Sequence, residues 1–186
     1  FEIFFNTYAE IRPDFLKHLE EIRRRTGSRI LSVHPFTSAF EGTLFFSEYE
    51  RRFGDGLSFY DVYFKAAHFL GASILVLHGQ RNYRNSPLSE QEYIKRYSLL
   101  YEKGREQGIL VAQENVNAFR SEDPAFIRRM RQELGENCAF VLDCKQAIRA
   151  GFDPYEMCKA MGRQLVHVHM NDHTPQKDCL LPGQGV

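Results

Sequence analysis

Short apolar runs alternate with amphipathic segments along the whole chain. The apolar runs are near-continuous stretches of Val, Ile, Leu and Phe, which are typical of parallel strands covered on both faces. They predict six strands, at residues 1–5, 29–34, 72–78, 109–114, 138–143 and 164–169. Apolar residues at helical spacing between them predict five helices, at residues 13–25, 57–70, 89–107, 124–134 and 154–161.

Local signals mark several of these boundaries. Ser89–Glu92 has the pattern of a capping box, and Asp123 and Asp153 each precede a proline, as expected of an N-cap before the first helical residue. A polar loop, residues 80–87, precedes the first of these helix starts. Residues 36–56 are a long connection rich in Phe, Tyr and Gly, and its aromatic residues suit either a lid over a pocket or a small satellite core.

The repeat of strand and helix predicts an α/β fold with a parallel sheet. No glycine-rich G-x-G-x-x-G motif follows the first strand and no P-loop is present, which argues against a nucleotide-binding doubly wound sheet. Polar residues instead sit at the carboxyl end of almost every strand, where a (β/α)8 TIM barrel carries its active site. Because six units are two short of eight, we expect one barrel domain over residues 1–186, incomplete at both ends and lacking the first and last strands.

Composition narrows the functional classes. The 186 residues are 43% hydrophobic and 26% charged, and 24 basic residues balance 24 acidic ones. This balance gives no electrostatic footprint for nucleic acid or for a membrane surface, and no apolar run approaches the length of a membrane span. The four cysteines show no C-x-x-C pairing, so we expect free thiols in a reducing compartment, the cytoplasm.

Five residues with metal-binding or proton-transfer chemistry stand at equivalent strand ends: His34, His78, Glu114, Asp143 and His169. Taken singly, each has a structural explanation, such as a turn for His34, a helix cap for Asp143 or an ion pair for Glu114. A closed barrel, however, brings strand ends onto one ring. Carboxylates and imidazoles without cysteine form a mixed oxygen and nitrogen donor set that suits Mn²⁺, Mg²⁺, Co²⁺ or Zn²⁺ with open positions for substrate oxygens.

Several motifs together resemble one family, the xylose-isomerase-like TIM barrels, which include sugar-phosphate isomerases and epimerases, ketose 3-epimerases, inosose dehydratases and endonuclease IV. The resemblance covers nearly the whole chain, and its motifs are specific for the superfamily but weak for the substrate. The motifs are Ser32-Val-His-Pro35, Leu77-His-Gly79, Gln113-Glu-Asn115, Leu142-Asp143, Ala150-Gly-Phe-Asp153, His167-Val-His-Met-Asn-Asp172 and Leu181-Pro-Gly-Gln-Gly185.

The resemblance implies a metal-dependent sugar or sugar-phosphate isomerase or epimerase that transfers protons through a metal-stabilised enediolate. By the family's ligand pattern, Glu114, Asp143 and His169 would bind one divalent ion (Mn, Mg, Co or Zn), and a fourth ligand on the eighth strand would lie beyond the last residue. Glu114 would also act as the catalytic base. The residues expected to bind the sugar are His34, His78, Lys145 and Gln146.

Three alternatives remain open on the sequence. An inosose-type dehydratase shares the metal and the enolate-like intermediate but expels water. An endonuclease IV-like nuclease fits less well, because Gln146 and Leu180 stand where the nuclease branch of the family has histidines. A degenerate barrel could also bind a sugar without turnover. We therefore expect a small-molecule sugar as the partner, no nucleic acid and no membrane, and the sequence is compatible with a homo-oligomer.

Overall fold

The computed structural model describes residues 1–82 and 88–185, so most of the predicted polar loop at 80–87 lies outside the described residues. The chain forms two compact units. The first comprises Phe1–Leu77 and the described part of Pro87–Val111, and the second comprises the described part of His78–Ser86 and of Ala112–Val186.

In the first unit, strands and helices alternate as the sequence predicts. In chain order they are β1 (Glu2–Phe4), α1 (Pro13–Thr26), β2 (Ser32–His34), α2 (Glu41–Leu44), α3 (Glu50–Leu70), β3 (Ile74–Leu77) and α4 (Glu90–Arg105), with 3-10 turns at Tyr8–Ile11 and Ser38–Phe40. The three strands pair in parallel and in chain order, with Ser32 opposite both Glu2 and Ile74. Fully buried Tyr63 and Phe64 are among the largest core side chains of this unit.

Strand β4 (Leu110–Glu114) begins in the first unit and ends in the second. The second unit continues with α5 (Pro124–Leu134), β5 (Ala139–Asp143), α6 (Cys144–Arg149), α7 (Pro154–Met161), β6 (Leu165–His169), β7 (Asp172–Thr174) and β8 (Lys177–Leu180), with 3-10 turns at Arg120–Glu122 and Gly162–Gln164. Strands β4, β5 and β6 pair in parallel, whereas β7 and β8 form an antiparallel hairpin. Helix α5 packs against α7.

The three helix starts predicted from capping residues are confirmed at the level of single hydrogen bonds. The Ser89 hydroxyl accepts a hydrogen bond from the backbone N–H of Glu92 at 3.1 Å. The carboxylate of Asp123 accepts one from the N–H of Ala125 at 2.7 Å, and Asp153 caps α7 in the same way. Because each cap satisfies a backbone donor that the helix leaves unpaired, these residues fix where the helices begin.

The prediction of a continuous connection over residues 36–56 is wrong in part. Helix α2 forms within it, and α3 begins at Glu50 rather than at residue 57. Gly54 and Gly56 disfavour a helix start before residue 57, since glycine is a poor helix former. Gly56 is accommodated because its missing side chain leaves room for the ring of Phe45, which a Cβ atom would approach to 2.8 Å. Tertiary packing therefore overrides the local preference.

The aromatic residues of this connection serve the core more than a lid. Phe45 and Phe46 are fully buried. The ring of Phe45 packs edge-on against Tyr60 with centroids 4.6 Å apart, and Phe46 stacks on Tyr93 at 3.9 Å. Phe40, by contrast, remains 61% exposed. Phe45 and Phe46 therefore form part of a small core, as the second interpretation of this segment predicted, whereas Phe40 lies at the surface.

Helix α6 and the β7–β8 hairpin of the second unit were not predicted from the sequence. Asp143 ends β5 and also caps the six-residue helix α6, accepting a hydrogen bond from the N–H of Gln146 at 3.0 Å. A helix this short carries too little apolar periodicity to be recognised. The β7–β8 hairpin follows β6 after two residues. All four cysteines are free thiols, as predicted. Of the helices formed by the described residues, none is long and apolar enough to cross a membrane.

Candidate metal centre

The carboxyl ends of three neighbouring strands bring acidic and imidazole side chains together in the second unit. The register of the sheet places Glu114 opposite Val141 and Asp143 opposite His169. Most strand residues before Glu114 and Asp143 are apolar and buried, and Gln113 is the polar exception, whereas β6 is partly exposed and also carries His167. Glu114 is 3% exposed and Asp143 is 5% exposed, while His169 is half-buried.

Glu114 lies at the middle of the cluster. Its Oε1 atom is 3.0 Å from Nδ1 of His169, and its Oε2 atom is 2.9 Å from Nε2 of His78. The same nitrogen of His169 lies 3.8 Å from Oδ2 of Asp143. Burial raises the pKa of Glu114, but the hydrogen bonds from His169 and His78 outweigh it and hold the pKa below its usual range. Glu114 is therefore a carboxylate at neutral pH.

The donor atoms fit a divalent cation. One ligand atom each from Glu114, Asp143 and His169 lies within 4.8 Å of the others, which is compatible with a common ion. Two buried carboxylates side by side need a compensating positive charge, because burying an uncompensated charge is costly. Lys145 supplies part of it, with its Nζ atom 3.9 Å from Oδ2 of Asp143. A set of two carboxylates and one imidazole suits a metal with open positions.

Two amide side chains beside Glu114, for which the sequence predicted no individual role, hold this cluster in place. Asn115 is fully buried and bonds the backbone of Asp143 twice, accepting from its N–H at 2.7 Å and donating to its carbonyl at 3.0 Å. Gln113 donates to the carbonyls of His78 at 2.9 Å and Glu114 at 3.0 Å. The signal for both was an amide at the carboxyl end of a buried apolar strand, Gln113 within β4 and Asn115 directly after it, since buried amides need partners.

Three of the four predicted substrate-binding residues, His78, Lys145 and Gln146, belong to the second unit. Lys145 and Gln146 adjoin Asp143 on the first turn of α6, and the side-chain oxygen of Gln146 accepts a hydrogen bond from the N–H of Asn117 at 3.2 Å. His78 contacts Glu114, as described above. His34 belongs to the first unit, where it is 4% exposed at the end of β2 and stacks on Phe4 with ring centroids 4.5 Å apart.

Asp172 organises the loop after β6. Its carboxylate accepts hydrogen bonds from the backbone N–H groups of His173, Gly183 and Gly185, each at 2.9 Å. These bonds lower the pKa of Asp172. Gly185 must lack a side chain, because a Cβ atom there would fall within 2.0 Å of an Asp172 oxygen. The Leu181–Gly185 motif therefore folds around one carboxylate.

The family is decided by comparison with known sequences. The family described as "Xylose isomerase-like TIM barrel" matches residues 1–186. The chain belongs to the xylose isomerase-like TIM barrel family. The predicted α/β barrel fold class is thereby confirmed. No curated protein sequence matches the chain with significance.

Solved structures resemble this xylose isomerase-like barrel at low identity. A D-tagatose 3-epimerase-like protein superposes with a TM-score of 0.77 at 22% identity, covering 99% of this chain and 72% of its own. A 3-keto-D-glucoside 4-epimerase from E. coli gives 0.70 at 18% identity, covering 93% and 68%. The zinc-bound IOLI protein gives 0.70 at 15% identity, covering 99% and 69%. At such identities these likenesses support the fold, and the zinc belongs to the last of these proteins.

Proposed function

We propose that this barrel is a divalent-metal-dependent sugar or sugar-phosphate isomerase or epimerase. The observation that carries the proposal is the surroundings of Glu114, a buried carboxylate with one imidazole at each oxygen and a second carboxylate, Asp143, beside it. This arrangement suits a carboxylate that holds a metal and moves a proton. Sugar epimerases among the proteins of similar fold agree with it.

Glu114, Asp143 and His169 would hold the ion. When bound, a divalent ion polarises a carbonyl and stabilises the negative charge that develops on its oxygen when the neighbouring C–H is deprotonated. The three side chains fit this task because they are already gathered within 4.8 Å and are partly or fully withdrawn from water. The donor set is compatible with Mn, Mg, Co and Zn, and comparing turnover with each metal would identify the ion.

Glu114 would remove the proton from the carbon next to the sugar carbonyl. Its lowered pKa keeps it unprotonated at neutral pH, and the contact with His78 fixes the orientation of its second oxygen. The electron pair of the broken C–H bond becomes the double bond of an enediolate. Return of the proton from Glu114 to the neighbouring carbon would give the isomer, whereas the epimer would need a second acid that delivers a proton to the opposite face of the same carbon.

Lys145 would bind a hydroxyl or phosphate oxygen of the sugar, because its ammonium group lies beside Asp143 and is only a quarter exposed. The amide of Gln146 would contribute from the same turn of α6. A role for His34 in substrate binding stays a prediction. The dehydratase, the nuclease and the non-catalytic binding barrel are outcomes that the experiment below separates from the proposed reaction.

The deciding experiment follows proton exchange at carbon in heavy water. The full chain is supplied with Mn²⁺, Mg²⁺, Co²⁺ or Zn²⁺ and incubated with a panel of ketoses, aldoses and their phosphates. Proton NMR would show deuterium entering at carbon together with a new epimer or isomer. A deoxy product formed by loss of water would instead indicate the dehydratase. Failure of every sugar to exchange, with each metal supplied, would contradict the proposal.

Glu114→Gln tests the assigned residue. We expect turnover to fall by about 10²–10⁴-fold, because a general base and a charged metal ligand are lost together. The matched control is Glu133→Gln, which makes the same chemical change at an exposed position of α5 and should leave turnover unchanged. Circular dichroism checks that both variants are folded. Near-normal turnover in folded Glu114→Gln would rule out the role given to this residue.

A further inference from the structure

The imidazole of His78 touches an aromatic ring as well as Glu114. The ring of Phe119 lies edge-on to it, with centroids 6.0 Å apart and an angle of 75° between the planes. On Phe119 in turn lies the guanidinium of Arg81, whose Cζ atom is 5.4 Å from the ring centroid. Phe119 is only 8% exposed. The ring is thus held between a cation and the histidine, in a contact geometry that aromatic pairs favour.

The backbone that carries Phe119 is fixed in an unusual conformation. Ala118 has a φ angle of 64°, in the left-handed region that residues with a side chain rarely adopt. The carboxylate of Glu122 accepts hydrogen bonds from the Ala118 N–H at 2.6 Å and from the side chain of Asn82 at 3.4 Å. The carbonyl of Ala118 accepts from the N–H of Asn82 at 2.8 Å. Such a conformation persists only where its surroundings determine it fully.

Further bonds join the same two loops, residues 78–82 after β3 and 115–122 after β4. Arg120 donates to Gln80 twice, from its backbone N–H to the carbonyl and from its Nε to the side-chain oxygen, each at 3.0 Å. Arg81 and Phe119 form an isolated antiparallel bridge between these contacts. Gln80 is 5% exposed, whereas Arg81, Asn82 and Ala118 lie at the surface, so the buried side of this pairing is the one that carries Gln80 and Phe119. These contacts fix the position of the loop that carries His78 relative to the loop that carries Phe119.

We propose that Phe119 is a positioning residue, which sets the direction of the His78 imidazole and through it the direction of the Glu114 carboxylate. The role of Glu114 in this inference rests on the proposed function. Nε2 of His78 lies 2.9 Å from Oε2 of Glu114, and an imidazole that turned about its side-chain bonds would carry this nitrogen away from the carboxylate. Phe119 closes the space into which the imidazole would turn. Ala118, Asn82 and Glu122 hold Phe119 at that position.

Phe119→Leu is the main test, because leucine keeps the site apolar but removes the flat ring. We expect kcat to fall by about 10–100-fold, the cost of a small misplacement of a reacting group, with KM changed by less than about threefold. Phe126→Leu is the matched control: it makes the same change at a buried phenylalanine of α5, and its kcat should stay at the wild-type value. Phe119→Tyr keeps the ring and should retain the wild-type kcat.

A spectroscopic readout separates positioning from general loss of structure. In the full chain labelled with ¹³C-histidine, the His78 ring signal, assigned with His78→Gln, should move in Phe119→Leu as the ring current of Phe119 is lost. The signal should stay in place in Phe126→Leu. Equal kcat values in the two leucine variants, an unmoved His78 signal in Phe119→Leu, or loss of activity in folded Phe119→Tyr would each overturn the inference.

The same readout distinguishes this inference from the proposed function. If the wild-type chain exchanges protons on no sugar with any metal, the proposed function fails. The histidine signals still report whether Phe119 sets the position of His78, because they need no turnover. If sugars do turn over and the kcat of Phe119→Leu matches that of its control, the positioning role fails and the proposed function stands.

Discussion

Replacing Asn115 by alanine probes how the centre is held together without reference to any substrate. The Asn115 side chain is fully buried and bonds both backbone groups of Asp143, at 2.7 Å to the N–H and at 3.0 Å to the carbonyl. Asp143 also caps α6, so the same few atoms fix a strand end, a helix start and a predicted metal ligand. Alanine removes both bonds at once.

The loss in the free energy of unfolding can be estimated from the backbone groups of Asp143 that lose a hydrogen-bond partner. The N–H of Asp143 loses its acceptor in a buried place, which costs about 1–3 kcal/mol. The carbonyl loses less, about 1 kcal/mol, because the carbonyl of an N-cap residue also accepts the first hydrogen bond of its helix. The free energy of unfolding should therefore fall by about 2–4 kcal/mol. Loss of a residue that hydrogen-bonds a metal ligand typically lowers the affinity for the metal by about 10–100-fold. We expect the affinity for Mn²⁺ to fall by this factor in Asn115→Ala.

Urea unfolding followed by circular dichroism measures the first quantity, and titration with Mn²⁺ measures the second. The control is Asn137→Ala, an exposed asparagine just before β5, whose unfolding free energy should change by less than about 0.5 kcal/mol. If Asn115→Ala matched that control with an unchanged urea dependence, the two hydrogen bonds would not contribute as argued. Weakened Mn²⁺ binding without lost stability would likewise refute the estimate for the buried N–H.

The remaining predictions concern pH and thiol chemistry. Burial raises the pKa of Tyr63 to about 12, although hydrogen bonds from Thr37 act to lower it. In the unfolded chain the phenol has its ordinary pKa of about 10 and releases its proton first. The contribution of Tyr63 to stability should therefore be complete below about pH 10 and be lost between about pH 10 and 12. Tyr63→Phe should lessen this loss in urea unfolding, and an equal loss in both proteins would contradict it. Burial also raises the pKa of the Cys138 thiol to about 12, whereas Cys179 is exposed. Peptide mass spectrometry after alkylation of the folded protein should show Cys179 modified first, and equal rates would refute the burial argument.

The sequence by itself determined the six parallel strands, most of the helices and the kinds of side chain at the strand ends. The strand and helix positions follow from local periodicity, and Ser89, Asp123 and Asp153 mark helix starts because a cap acts within three residues along the chain. The placement of Glu114 and Asp143 at the ends of parallel strands was also readable, because the end of a buried apolar run is visible in the sequence. Their gathering at one sheet edge follows from parallel pairing.

Tertiary structure alone decided which of these side chains touch and how they are fixed. The contact of His78 with Glu114 spans 36 positions of sequence, and the bonds from Asn115 to Asp143 span 28. No local pattern encodes such pairs, because they depend on the register and twist of the strands and on the side-chain rotamers. The early start of α3 and the left-handed Ala118 have the same origin: packing against Phe45 and hydrogen bonds to Glu122 outweigh the preferences of the local sequence.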